Sequence, residues 1–210
     1  MADDIYLSEL QRDAITELLN IGMGRAASAL SEMVNEEVHL SVPSVEVLSR
    51  TVAAHKINGN PRKRIAAVRQ HFQGPFWGDA ILLFPQEKSL ELVRILLREE
   101  NVPLETLTEL ERDALTEVGN IILNSCLSSL GDMLHYEVTS HLPIFITGTA
   151  TEVLENENVH TTQQDDVVMF LRMDFALRSK DISGYVAFIL EIPSIAQFKL
   201  RIHQYLSGHT

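Results

Sequence analysis

LSELQRDAITELLNIGMGRAASALSEMVNEEVHLSVP, residues 7–43, decides the architecture, because the chain writes it a second time. Residues 107–143, LTELERDALTEVGNIILNSCLSSLGDMLHYEVTSHLP, align with it without a gap, and sixteen of the thirty-seven pairs are identical. The identities include Asp13/Asp113, Glu17/Glu117, Asn20/Asn120 and Pro43/Pro143. A core helix asks only for apolar character along one face, so an acid and an amide repeated in place direct attention to polar function.

Each copy opens with a capping box, Ser8-Glu9-Leu10-Gln11 and Thr108-Glu109-Leu110-Glu111, which marks a helix start. The apolar positions Ile15, Leu18, Ala26, Ala29 and Met33 then recur at helical spacing, as do Leu115, Val118, Ile122, Cys126 and Met133. Asp13, Glu17 and Asn20 stand on the opposite side of the wheel, and Asp113, Glu117, Asn120 and Asn124 repeat the stripe. Both stripes are expected to face outward. Gly22 falls on the inward side, where it admits close packing of another element, and Gly24 continues the polar stripe.

Beyond the helix the strand pattern Val38, Leu40, Val42, Val45, Val47 is interrupted by Pro43, which marks a bend, bulge or edge. Strands are expected over Ile65–Phe72 and Gly78–Phe84, then a helix from Pro85 to about Arg98. The second half answers with Val167–Leu177, Gly184–Leu190 and a helix after Pro193, residues 99–106 forming a hinge and 152–166 a polar loop. Each half therefore reads helix, three strands, helix. The expected fold is α+β: one domain over 1–210, built from pseudo-twofold repeats at about 7–98 and 107–206, with a largely antiparallel sheet and two long surface helices.

Composition narrows the function. A net charge of −12 opposes nucleic-acid or anionic-membrane binding, and the basic run Arg62-Lys63-Arg64 sits in a turn. The acidic N-terminus has no signal-peptide core, the apolar runs are strand-sized, and one cysteine makes no internal disulfide, so a cytoplasmic location is expected. Gly22-Met-Gly-Arg-Ala-Ala matches a dinucleotide fingerprint but lies inside a helical pattern rather than after a strand, and is rejected. The eight histidines show no metal spacing, and Cys126 sits on the apolar face as a core residue.

The remaining pattern, Asp-x-x-x-Glu-x-x-Asn followed by twenty-two residues and proline, occurs twice. It resembles the motif of the CheC/CheX/FliY family of chemotaxis phosphatases, and the phrases Asn20-Ile-Gly-Met-Gly-Arg-Ala-Ala and Leu82-Leu-Phe-Pro85 are similar to the CheC type. Two motifs favour CheC over CheX, and the lack of an added switch-type domain makes FliY less apt. The resemblance covers essentially the whole chain. It implies a phosphatase acting on the aspartyl phosphate of CheY or a related receiver, with Asn20 and Asn120 orienting water and Glu17 and Glu117 contacting the regulator. Asp13 and Asp113 are expected to support, and Pro43 and Pro143 to be structural. It also implies no cofactor on this chain, Mg²⁺ being carried by the regulator, and a second partner, the deamidase CheD. The competing expectations are a non-enzymatic adaptor that binds CheD or the regulator, and a flagellar switch component. An uncharged amide suits water orientation, since it donates and accepts hydrogen bonds without repelling phosphoryl oxygens.

Overall fold

The computed structural model describes residues 7–59, 63–97, 108–154, 167–177, 180–190 and 192–208. The repeated stretches form two 26-residue helices, α1 (Glu9–Val34) and α4 (Glu109–Leu134). Between and after them run β1 (Val38–Ser49), α2 (Arg50–Asn58), β2 (Arg64–Gln73), β3 (Gly78–Pro85), α3 (Gln86–Leu97), β4 (Thr139–Ser140), β5 (Ile144–Thr149), α5 (Ala150–Leu154), β6 (Val167–Leu177), β7 (Lys180–Leu190) and α6 (Ile192–Leu206). Among the described residues every strand pairing is antiparallel. The expected mixture of helices with an antiparallel sheet in one domain is what the structure has.

The sheet order is β1-β6-β7-β3-β2, with β4 and β5 both on the far side of β2. Exchanging the two halves of the chain turns this order into its own reverse. The first strand of each half pairs with the second strand of the other, β1 with β6 and β5 with β2. Neither half completes a sheet alone, so the two fold as one cooperative body.

Both sheet faces are covered, and the strands show it. In β3, Ala80, Leu82 and Phe84 join the core under the long helices, while Ile81 and Leu83 point to the other face. In β7, Val186, Phe188 and Leu190 alternate in the same way with Ala187 and Ile189. This two-sided burial explains the unbroken apolar runs. The second face is closed by Ala53, Ala54 and Ile57 of α2 and by Ala150, Val153 and Leu154 of α5. These two short helices correct the expectation of helix, three strands, helix in each half. Part of the stretch expected as a polar loop, 152–154, is helix α5, whereas 155–166, the hinge at 99–106 and Arg62 of the basic run lie outside the described residues.

The long helices pack on each other as well as on the sheet. A Cβ on Gly22 would lie 2.8 Å from the Ser125 carbonyl oxygen and 2.9 Å from Ser129 Oγ, so the absent side chain lets α1 and α4 approach. That matches the role expected for Gly22. The apolar face of α4 is buried as expected, but on α1 Ala29 and Met33 are exposed and Leu19, Met23 and Leu30 take the inward positions. The buried face of α1 is rotated away from the side that meets α4.

Candidate functional site

Both helices start where the capping boxes place them. Ser8 Oγ accepts from the Gln11 amide at 3.2 Å and Gln11 Oε1 accepts from the Ser8 amide at 2.9 Å. Thr108 and Glu111 repeat the exchange at 3.3 and 2.6 Å. With the starts fixed, the stripes fall on matching faces. Asp13, Glu17, Asp113 and Glu117 are exposed, and among the described residues none has a hydrogen-bond or ion-pair partner. Gly24 is exposed too, with nothing within 4 Å of the position its Cβ would take.

The asparagines differ from this outward picture. Asn20 is half-buried, and both ends of its amide are bonded to one residue of β1: Nδ2 donates to the Val42 carbonyl at 3.0 Å and Oδ1 accepts from the Val42 N–H at 2.8 Å. Strand geometry explains the arrangement. The β1–β6 ladder breaks between Ser41, opposite Asp174, and Ser44, opposite Arg172, so Val42 and Pro43 together face Met173 as a bulge. Proline has no N–H to offer, and Val42, 1% exposed, is left with unpaired backbone groups that the amide satisfies. Pro43 sits both at a bulge and on an edge strand, as its sequence context required. The interval of twenty-two residues from Asn20 to Val42 is thus a physical contact.

The second copy solves the same problem differently. Asn120, also half-buried, accepts at Oδ1 from Asn124 Nδ2 at 2.7 Å. Asn124 Oδ1 in turn accepts from Ser140 Oγ at 2.8 Å and from Gln70 Nε2 at 3.2 Å, and Gln70 Nε2 also reaches the His141 carbonyl at 2.9 Å. Asn124 was expected to offer its side chain outward; it is spent holding Asn120. Leu142, the counterpart of Val42, is turned out and 88% exposed. Gln70, 2% exposed and flanked in β2 by buried Arg69 and half-buried His71, was missed by sequence reasoning, although a Gln within Ile65-Ala-Ala-Val-Arg-Gln-His-Phe is a visible signal of a polar contact.

The two stripes stay separate. Gly22, where α1 meets α4, lies almost opposite Asn20 on the helix wheel. The ion pair that joins the helices, Arg25 to Asp132 at 2.8 Å, has both side chains more than half exposed and contributes under about 1 kcal/mol. Among the described residues no three His, Cys, Asp or Glu side chains converge as a metal site. No helix there is long and apolar enough to cross a membrane. Cys126 is fully buried, and burial pushes its thiol up to about 12, which fits an inert core residue.

Residues 10–47, the first stripe with its strand partner, match the CheC-like family. The chain is 27% identical over 139 residues to the CheY-P phosphatase CheC of Bacillus subtilis (strain 168), covering 65% of this chain and 66% of that protein. It is 26% identical over 174 residues to the flagellar motor switch phosphatase FliY of the same organism, covering 82% of this chain but 43% of that one. The matched stretches thus span about two thirds of one relative and less than half of the other. The crystal structure of Thermotoga maritima FliY superposes with a TM-score of 0.76 at 17% identity, over 97% of this chain and 99% of that one, and so shares the fold. The family match on the first stripe, the two relatives and the shared fold converge on one group, and the chain is homologous to the CheC and FliY proteins.

Proposed function

We propose that this protein hydrolyses the aspartyl phosphate of CheY or a related receiver domain, using Glu17 with Asn20 and Glu117 with Asn120 as two separate sites. The observation that carries the proposal is the Asn20 clamp: an amide held at both ends by Val42, three residues from an exposed glutamate with no partner. An amide has two N–H groups and two acceptor lone pairs. The clamp uses one of each, which leaves one N–H and one lone pair at a fixed orientation. Asn120 keeps both N–H groups of Nδ2. A water held by such a pair can be directed in line at a phosphorus atom, and in a loose phosphoryl transition state orientation matters more than deprotonation.

An acyl phosphate is already activated. Attack by water forms a new P–O bond, breaks the bond to the aspartyl oxygen and returns a carboxylate and inorganic phosphate. Charge neutralisation falls to Mg²⁺ and a lysine of the regulator. Glu17 and Glu117, exposed and unpaired, suit a contact with that partner's cations and bring the helix into register. Asp13 and Asp113, one turn earlier, add to the negative field. The adaptor reading draws on the same clamp, since an asparagine that completes a bulged strand has a structural reason to be there. Phosphate release from acetyl-phosphate-charged CheY with and without the protein separates the two. Acceleration supports hydrolysis, and binding without acceleration supports the adaptor.

A further inference from the structure

The two copies of the stripe are bordered by unlike strand segments. Beside α1 the segment reads Ser41-Val-Pro-Ser44, with Val42 buried and both serines exposed. Beside α4 it reads His141-Leu-Pro-Ile144, with Leu142 88% and Ile144 54% exposed. The ladder accounts for the difference. Strand β2 pairs Phe72 with Ser140 and resumes at Arg69 with Ile144, so three residues, 141–143, face two, and the chain bows away from the sheet. The bow is anchored at both ends. Ser140 bonds Asn124, and the Arg112 guanidinium lies 5.8 Å over the Phe145 ring. The segment between them therefore runs alongside the turns of α4 that carry Asn120, Glu117 and Asp113.

We propose that Leu142 and Ile144 form the apolar anchor by which a phosphorylated receiver domain docks on the second stripe, an inference that rests on the function proposed above. A leucine this exposed gains nothing for the fold, because its duplicate position shows that a buried branched residue serves there. Placed beside an unpaired glutamate and an oriented amide, it supplies the desolvated centre that a polar stripe lacks, and such centres carry most of the affinity of an interface. The strand segment that borders the first stripe exposes serines where the second exposes Leu142 and Ile144; the large apolar side chains exposed on α1, Leu10 (matched by Leu110 on α4) and Ile21, belong to the helix itself. The two sites are then unequal: the second captures the regulator, and the first lacks this strand-borne anchor.

The test uses the full chain and CheY charged with beryllofluoride and Mg²⁺. Binding is followed by calorimetry, alongside steady-state phosphate release from phosphorylated CheY. Leu142→Ser with Ile144→Ser should weaken binding at least tenfold and raise KM in step, with kcat at saturating CheY unchanged. Leu200→Ser on α6, which removes a leucine 49% exposed, should leave both alone. Equal binding by the Leu142/Ile144 variant and the parent, with phosphate release intact, overturns the anchor while the phosphatase proposal stands. Loss of binding in a parent that binds but releases no phosphate supports the anchor and removes the phosphatase. A parent that binds no charged CheY overturns both.

Discussion

Replacing Asn20 by alanine should cost far more stability than the same change at Asn120, although the sequence presents the two as equivalents on an outward face. The magnitude follows from what each amide holds. Asn20→Ala strips partners from the Val42 N–H and C=O, at a residue 1% exposed. A buried backbone group left unpaired costs about 1–3 kcal/mol. Because β1 is an edge strand, water reaches the vacated groups in part, and the lower half of that range applies to each. Two orphans at about 1.3 kcal/mol, less about 0.5 kcal/mol for the better helix propensity of alanine, leave a loss near about 2 kcal/mol. Asn120→Ala removes one side-chain bond from Asn124, worth about 1 kcal/mol net, and the same propensity gain offsets half of it.

Urea unfolding followed by circular dichroism measures this directly, as a shift in midpoint at unchanged slope. For a chain of this size about 2 kcal/mol is also a fall of about 4–8 °C in Tm. Equal losses from the two variants, or a larger one at Asn120, would refute the claim that the Asn20 amide completes the strand. Asn20→Asp sharpens the point. It keeps an acceptor for the Val42 N–H but sets a carboxylate oxygen against the Val42 carbonyl, so it too should destabilise, whereas Asn120→Asp retains an acceptor for the Asn124 amide.

Asn20→Ala combined with Asn120→Ala should cut catalysed release of phosphate from CheY by about 10²-fold per folded molecule, the scale of losing one oriented polar group; parental activity in that variant would remove the water-orienting mechanism. Calorimetry should find no tight, stoichiometric Mg²⁺ site on the isolated chain, while catalysis requires the ion; a tight site would count against Mg²⁺ being the regulator's. Gly119→Ala should destabilise, because its Cβ would fall 2.5 Å from Val68 Cγ1, whereas Gly24→Ala, with open space, should gain up to about 1 kcal/mol, and thermal melts that order the pair the other way would contradict both placements. Cys126 should resist thiol reagents at pH 8 until the protein unfolds. Its folded value of about 12 lies above the ordinary 9.0, so the unfolded thiol ionises first and this group's contribution to stability falls as pH rises from 9 toward 12, a slope that Cys126→Ala should abolish in alkaline unfolding curves.

Much of the fold was legible because it is repeated. Capping boxes at Ser8 and Thr108 gave both helix starts, and the strands at Arg64–Gln73 and Gly78–Pro85 fell within a residue of where their apolar runs placed them. The short helices α2 and α5 were not read, since nine and five residues are too few to carry a periodic signal. The unbroken apolar run Ala80–Phe84 did contain the missing information. A strand buried on both sides needs a second layer, and α2 and α5 supply it.

The site was legible in its residue types and not in its asymmetry. Identity of Glu17 with Glu117 and of Asn20 with Asn120 suggested two equal copies, and a helix wheel placed both amides outward. A wheel knows nothing of the strand that follows. Pro43 and Pro143 each remove an N–H and each accompany a bulge, but what fills the resulting gap is decided elsewhere. At the first site Gly24 leaves Asn20 without a side-chain neighbour one turn on, and its amide turns to Val42. At the second, Asn124 takes up Asn120, Gln70 and Ser140 hold Asn124, and the backbone at Leu142 is released from the role that Val42 plays. One glycine-to-asparagine difference thus accompanies a buried valine in one copy and an exposed leucine in the other. Duplication supplied two identical stripes, and the substitutions around them gave one a structural clamp and the other an open apolar rim.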